Sequence, residues 1–114
     1  MNPRIKAWLL DIDQCIEEIV DFLPEKRNFF EYQKDLKTKK AVERNLEIIG
    51  EAVKRILNAE DDFPIKNAKR IIGTRNRIIH DYNHISDEII WTIVSRELPK
   101  LKNEIAHLIQ EMND

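Results

Sequence analysis

Glycine and proline are scarce, with two and four among 114 residues. A sheet with many tight turns draws on both, so their rarity beside 35% charged residues favours helices. Two glycines cannot build a phosphate-cradling glycine-rich loop, which argues against an NTPase. The single cysteine, Cys15, excludes an internal disulfide and a four-cysteine zinc site, and fits a reducing cytoplasm. It borders an apolar stripe without a basic neighbour to activate it, so it reads as a small core residue and not a nucleophile. No apolar run approaches the roughly 20 residues of a membrane span. Arg4, Lys6 and Asp11 interrupt the N-terminal stretch where a signal peptide would be continuous. The expectation is one cytoplasmic helical domain over 1–114, away from any membrane.

What the chain does have is helical apolar spacing nearly throughout. Ile5, Trp8, Leu9, Ile12, Ile16, Ile19, Val20 and Leu23 form a three- and four-residue stripe that Pro24 ends. Residues 25–35 predict a connector with a short helical piece. A second long helix is expected from about Leu36 to Leu57, with Val42, Leu46, Ile49, Val53 and Ile56 inward. Gly50 costs that helix about 1 kcal/mol relative to alanine, which predicts a close approach by another backbone there. Ala59 to Phe63 reads as an acidic turn, and Pro64 suits the first turn of a third helix carrying Ile65, Ala68, Ile71, Ile72, Ile78, Ile79 and Tyr82. Ser86 is a good N-cap for a fourth, with Asp87 and Glu88 placed well against its dipole. Ile89, Ile90, Ile93, Val94 and Leu98 line its inner side. Pro99 must kink or divide that helix before Leu101, Ile105, Leu108, Ile109 and Met112 resume the pattern. The predicted fold is all-α, an antiparallel bundle of four main helices, the last one kinked or broken at Pro99.

The formal net charge of −2 argues against a general nucleic-acid coat, but the distribution is uneven. Ile65 to His80 holds no acidic residue and contains Lys66, Lys69, Arg70, Arg75 and Arg77; Lys34, Lys37, Lys39, Lys40 and Arg44 make a second basic run. A solvated face explains such runs in most proteins. A local field for a phosphate backbone needs no positive total either.

Within the first run, Arg75-Asn76-Arg77-Ile78-Ile79-His80-Asp81-Tyr82 crowds a guanidinium, a carboxamide, an imidazole and a phenol into one apolar-striped helix. Arginine grips phosphate in a fixed fork, and histidine moves protons near neutral pH. At 100° per residue Arg75 falls in the apolar sector, while Asn76 and His80 are i, i+4 neighbours on the adjacent edge. An arginine there needs an anionic partner or a water-lined cleft. One reading is therefore structural: an ion pair with Glu43, Glu47 or Glu51, and no open pocket. The other is phosphodiester chemistry in a cleft. A third, metal binding by His80 and His84 with Asp81 between them, lacks a third ligand. His107 reads as bland.

Arg75, Asn76, His80 and Tyr82 spell Arg-Asn-x-x-x-His-x-Tyr, and this resembles the signature of the HEPN domains. More narrowly it is similar to the HepT-like toxins encoded beside MNT-type minimal nucleotidyltransferase antitoxins. Ala41-Val42-Glu43-Arg44-Asn45-Leu46-Glu47-Ile48-Ile49-Gly50-Glu51-Ala52 follows that family's second-helix pattern, and Trp91 and Leu98-Pro99 fall where the family has them. Ala68 departs from it, since many relatives carry tryptophan there. The resemblance implies a homodimer whose two motif helices form a composite cleft, and a metal-independent endoribonuclease without a cofactor. His80 would be the general base or acid on the RNA 2'-hydroxyl and leaving oxygen, leaving a 2',3'-cyclic phosphate. Arg75 would bind the scissile phosphate, and Asn76 would orient His80 or the phosphate. Arg77, Lys69, Arg70 and Arg44 are the candidates for further RNA contacts. In the family the tyrosine two residues after the histidine, here Tyr82, receives AMP from the antitoxin, which switches the toxin off. The competing expectation is a non-catalytic nucleotide- or RNA-binding module that partners a nucleotidyltransferase.

Overall fold

The computed structural model describes residues 2–23, 28–80 and 86–113, with the side chain of Ile79 excepted. Asn2 accepts from the Arg4 N–H at 2.9 Å and Pro3 follows, so α1 (Pro3–Phe22) starts with a side-chain cap and a pre-set φ. Its buried residues are Ile5, Leu9, Ile12, Cys15, Ile16 and Ile19, the helical period the sequence displays; Val20 lies outside it, 44% exposed. A short α2 (Phe29–Lys34) follows, capped by Asn28. Its Phe29 and Tyr32 pack their rings against Trp91 at 5.9 and 5.2 Å.

Asp35 caps α3 (Leu36–Ala59), accepting from the Thr38 N–H at 3.1 Å and from Thr38 Oγ1 at 2.6 Å. The Thr38 hydroxyl bond holds the Asp35 carboxyl below its ordinary range. Val42, Leu46, Ile49, Val53 and Ile56 are buried on α3, as their spacing predicts. So is one polar residue, Asn45, whose Nδ2 donates to the Cys15 carbonyl at 3.2 Å and to Glu18 Oε1 at 3.0 Å. These bonds pin α3 to α1 and set the register of the pair. Asn45 lies beside Cys15 and Glu18, whereas Ala52 shares a cleft with Trp8, so the two helices run antiparallel.

The third long helix departs from expectation. It begins at Ala68, not at Pro64, as α4 (Ala68–His80). Phe63 and Ile65 on either side of Pro64 are both buried, and proline disfavours the helical region for the residue before it. The segment is therefore anchored to the core outside any helix. Asn67 then takes a left-handed φ of 57°, which asparagine tolerates better than most residues. Its carbonyl accepts the Ile71 N–H at 3.0 Å and starts the helix. Ile65 belongs to the core but not to this helix. Tyr82, also assigned to it by spacing, lies outside the described residues.

Ser86 accepts from the Glu88 N–H at 3.1 Å and caps α5 (Asp87–Thr92), and the Lys39–Asp87 ion pair at 3.2 Å ties that end to α3. The break expected at Pro99 takes the form of a π-turn over Ile93–Glu97, closed by the Leu98 N–H donating to the Ile93 carbonyl. Widening the helix just before a residue that lacks an N–H and crowds the preceding turn lets α6 (Leu98–Asn113) continue. Lys102 contacts Asp13 and Glu17 while Lys6 contacts Asn113, so α6 is antiparallel to α1. The result is an all-α bundle with α1 and α3 at its centre, α6 against α1 and α4 against α3. No described helix is long and apolar enough to cross a membrane.

Candidate active site

Gly50 determines how α4 meets α3. A Cβ on Gly50 would lie 2.2 Å from Arg75 Cβ, 2.7 Å from Arg75 Cγ and 3.2 Å from the Ile71 carbonyl oxygen. The close backbone approach expected at this glycine is therefore that of α4, and the space of the missing methyl is filled by the arginine's stem. Gly73, the other glycine, has no such neighbour within 4 Å among the described residues.

Seated there, the Arg75 guanidinium reaches a cleft between α1, α3 and α4 of about 400 Å³. Its side chain is 18% exposed, so it is neither sealed in the core nor free in solvent. Nη2 pairs with Glu51 on α3, and Nη1 donates to Asn76 Oδ1 at 2.8 Å. Nε is buried without a hydrogen-bond partner among the described residues, and Glu51 Oε2 is likewise sealed and meets Arg75 as an ion pair without hydrogen-bond geometry. Glu51 also faces Arg55, with its Oε1 3.5 Å from Arg55 Nε. Both expectations for Arg75 thus hold in part: a carboxylate compensates it, and a cleft opens onto it.

Asn76 and His80 are exposed on α4. The Asn76 carboxamide carbonyl is directed to Arg75, so among the described contacts it steadies the arginine and not the imidazole. Five residues separate Arg75 from His80, which on a helix is roughly 140° around the axis and 7.5 Å along it. One chain therefore presents Arg75 to the cleft and His80 in a different direction. Tyr82, Asp81 and His84 lie outside the described residues, and with them the expected AMP acceptor and most of the metal reading. Among the described residues no three His, Cys, Asp or Glu side chains are grouped to hold a metal ion.

The remaining basic candidates separate. Arg44 lines the Arg75 cleft, paired to Glu47 at 2.9 Å. Arg70 lies instead on the opposite side of α4, paired at 3.1 Å to Glu97. That pair borders a larger cavity of about 640 Å³ between α4, the π-turn and α6, floored by Leu46, Ile49 and Leu101. The larger cavity is mostly apolar and is lined by none of Arg75, Asn76 and His80. Lys69 and Arg77 are exposed and line neither space. Spacing on α3 alone places Arg44, Ile48, Glu51 and Arg55 on one face. Trp8 and Asp11, which close the cleft from α1, carry no such signal, because only tertiary packing brings α1 there.

Residues 12–108 match the profile described as ribonuclease HepT-like. The chain belongs to the HepT-like ribonuclease family. Among relatives, a provisionally named RNase of Methanocaldococcus jannaschii is 39% identical over 95% of this chain and 89% of its own length. A provisionally named ribonuclease HepT of Thermococcus cleftensis is 36% identical over 95% of this chain and 98% of its own. A provisionally named RNase of Caldanaerobacter subterraneus is 35% identical over 96% and 95%. No solved structure matches at a significant level. For a HepT-like chain the motif thus stands in its expected family, with its arginine at a cleft.

Cys15 keeps its structural reading in this family member. It is buried, and burial first, then the charges of Glu18 and Asp11, push its thiol up to about 11. A thiol so disposed is a poor nucleophile at neutral pH.

Proposed function

We propose that the chain is the toxin of a HEPN/MNT toxin–antitoxin pair, a metal-independent endoribonuclease that works as a homodimer over residues 1–114 in the cytoplasm. The observation that carries this reading is Arg75: a guanidinium fixed at a cleft by Gly50 and Asn76, compensated by a carboxylate that is itself shared with Arg55. Such a group is preorganised for an anion that arrives from outside. His80 takes the proton from the RNA 2'-hydroxyl, whose oxygen attacks phosphorus. The bond to the 5'-oxygen breaks, that oxygen is protonated, and a 2',3'-cyclic phosphate and a 5'-hydroxyl result. Arg75 stabilises the charge that grows on the phosphoryl oxygens, and Asn76 holds Arg75 in place. Because Arg75 and His80 of one chain face different ways, two copies meeting at α4 supply a composite cleft and a second histidine for the leaving oxygen.

Tyr82 serves in this reading as the acceptor of AMP from an MNT-type nucleotidyltransferase. The adduct's phosphate competes with RNA for Arg75. The test is purified protein with total RNA in EDTA, beside His80→Ala and Tyr82→Phe. Cleavage should persist under chelation, vanish with His80→Ala and resist the antitoxin in Tyr82→Phe. Cleavage by His80→Ala, or rescue of Tyr82→Phe by the antitoxin, would remove the corresponding role. A second reading, a non-catalytic nucleotide- or RNA-binding module, draws on Glu51, which already neutralises Arg75 without any substrate. It is the one that survives if the wild-type chain binds RNA and leaves it intact.

A further inference from the structure

The Arg75 cleft is larger than one phosphate group requires, and its walls are of two kinds. At about 400 Å³ it falls within the range of small-ligand sites. Trp8 of α1 with Ile48 and Ala52 of α3 form an apolar wall; Arg44, Arg55 and Arg75 are the cationic groups around it. Trp8 is only partly buried and packs against the core, so its ring is held while part of it remains accessible. Arg44 and Arg55 are eleven residues apart on one face of α3, roughly 16 Å along the helix, with Ile48 and Ala52 between them.

From this arrangement we infer that the cleft is a nucleotide subsite of the RNA path, in which a base stacks on Trp8 and its flanking phosphates are taken by Arg44 and Arg55. This rests on the ribonuclease reading above and extends it from the scissile phosphate to the neighbouring nucleotide. Single-stranded RNA is bound through such pairings of aromatic faces with cationic groups. The carboxylates around the cleft limit the electrostatic part of such binding. Asp11, Glu47 and Glu51 balance the three arginines in number, so the cleft is not a general polyanion trap and stacking supplies the selectivity. In the two pairs on α3 the arginines are exposed, Arg44 by 65% and Arg55 by 58%, while Glu47 and Glu51 are 27% and 35% exposed. Partly exposed pairs of this kind contribute little, and a phosphate offers guanidinium a bidentate, more highly charged partner. Each arginine can exchange its carboxylate for RNA.

The test uses the full chain carrying His80→Ala, so that RNA stays intact, and a fluorescent single-stranded oligoribonucleotide of mixed sequence. Anisotropy titrations compare Trp8, Trp8→Phe and Trp8→Leu. Stacking on one base predicts a roughly ten- to hundredfold loss of affinity in Trp8→Leu and near-complete retention in Trp8→Phe. Arg44→Ala and Arg55→Ala should each weaken binding and flatten its salt dependence by roughly 0.7 in the log–log slope. In a Trp91→Phe background, where Trp8 is the only tryptophan, RNA should quench its emission saturably. Equal binding by Trp8→Leu, or unchanged Trp8 emission at saturating RNA, overturns the proposal. Saturation by AMP alone at the same nucleotide concentration overturns the assignment to RNA and makes this a mononucleotide site. Wild-type cleavage measured alongside keeps the two levels apart. If RNA is cut but Trp8 is indifferent, only the subsite fails; if Trp8 is quenched but no RNA is cut, only the catalytic reading fails.

Discussion

Replacing Gly50 by alanine tests both the packing of the bundle and the seat of Arg75. The added methyl would lie 2.2 Å from Arg75 Cβ, where carbon atoms rest at roughly 3.5 Å or more. Neither that atom nor the Ile71 carbonyl oxygen is a flexible tip, so α4 must retreat by roughly 1.3 Å. Overpacking of this kind costs about 1–3 kcal/mol. Against it stands the gain of about 1 kcal/mol from replacing a mid-helix glycine. With contacts this short the upper part of the range applies, and the net is a destabilisation of about 1–2 kcal/mol. At about 4 °C per kcal/mol for a chain of this length, Tm should fall by about 4–8 °C.

Gly73→Ala is the matched control. Among the described residues nothing lies within 4 Å of its Cβ position, so the same change on α4 should stabilise by about 1 kcal/mol and raise Tm by about 4 °C. The functional consequence follows from position, since an error of about 1 Å in a catalytic group can cost on the order of a hundredfold in rate. Gly50→Ala should therefore cut RNA about that much more slowly under conditions where it is fully folded. Scanning calorimetry and a single-turnover cleavage assay read the two effects separately. If Gly50→Ala proves as stabilising as Gly73→Ala, α4 does not cross α3 at this glycine, and the account of how Arg75 is held is wrong. A double substitution with Arg75→Gly sharpens the point, because removing the arginine's stem should relieve most of the penalty of the alanine.

Asn45→Ala leaves the Cys15 carbonyl without its amide donor and removes the bond to Glu18, which should cost about 1–3 kcal/mol in urea unfolding; a change below a few tenths would show that the register of α1 and α3 is set elsewhere. Cys15, with its thiol raised from 9.0 to about 11, should be alkylated about a hundredfold more slowly in the folded chain than in denaturant at pH 8, and native-state labelling at the unfolded rate would contradict its burial. Because the folded state binds that proton more tightly, the contribution of Cys15 to stability is lost as pH rises from about 9 to about 11, so the difference in urea midpoint between wild type and Cys15→Ala should narrow across that window.

Much of this bundle is legible in the sequence because its helices are amphipathic and their spacing is regular. Val42, Leu46, Ile49, Val53 and Ile56 are buried as their period requires, and Ser86 caps the helix it announces. The misplaced start of α4 shows where local rules run out. Pro64 satisfies the preference for a first helical turn, but Phe63 and Ile65 bury on either side of it, and burial of two large apolar side chains outweighs the small advantage of proline at that position. The left-handed Asn67 that starts the helix gives only a weak signal, since asparagine is tolerated in many conformations.

The site divides in the same way. Gly50 is readable as a close approach, yet which helix approaches, and that Arg75 fills the gap, depends on a crossing that no local pattern encodes. Glu51 was one of three carboxylates that spacing allowed as the partner of Arg75. Glu47 pairs with Arg44 instead, and Glu43 lies half-buried near Asp87, where burial first and then that aspartate raise its carboxyl. Helix geometry puts Arg75 and His80 roughly 140° apart around α4 and roughly 7.5 Å along it, so the two side chains leave the helix in different directions. In the proposed reaction the two groups serve one phosphate either by reaching it from the same helix or with a second helix completing the site. Mixing Arg75→Ala chains with His80→Ala chains decides between them. A site shared across two chains regains part of its cleavage in the mixed dimer, because one of its two composite clefts keeps Arg75 of one chain and His80 of the other and lacks only the second histidine, whereas a site contained in one chain stays dead.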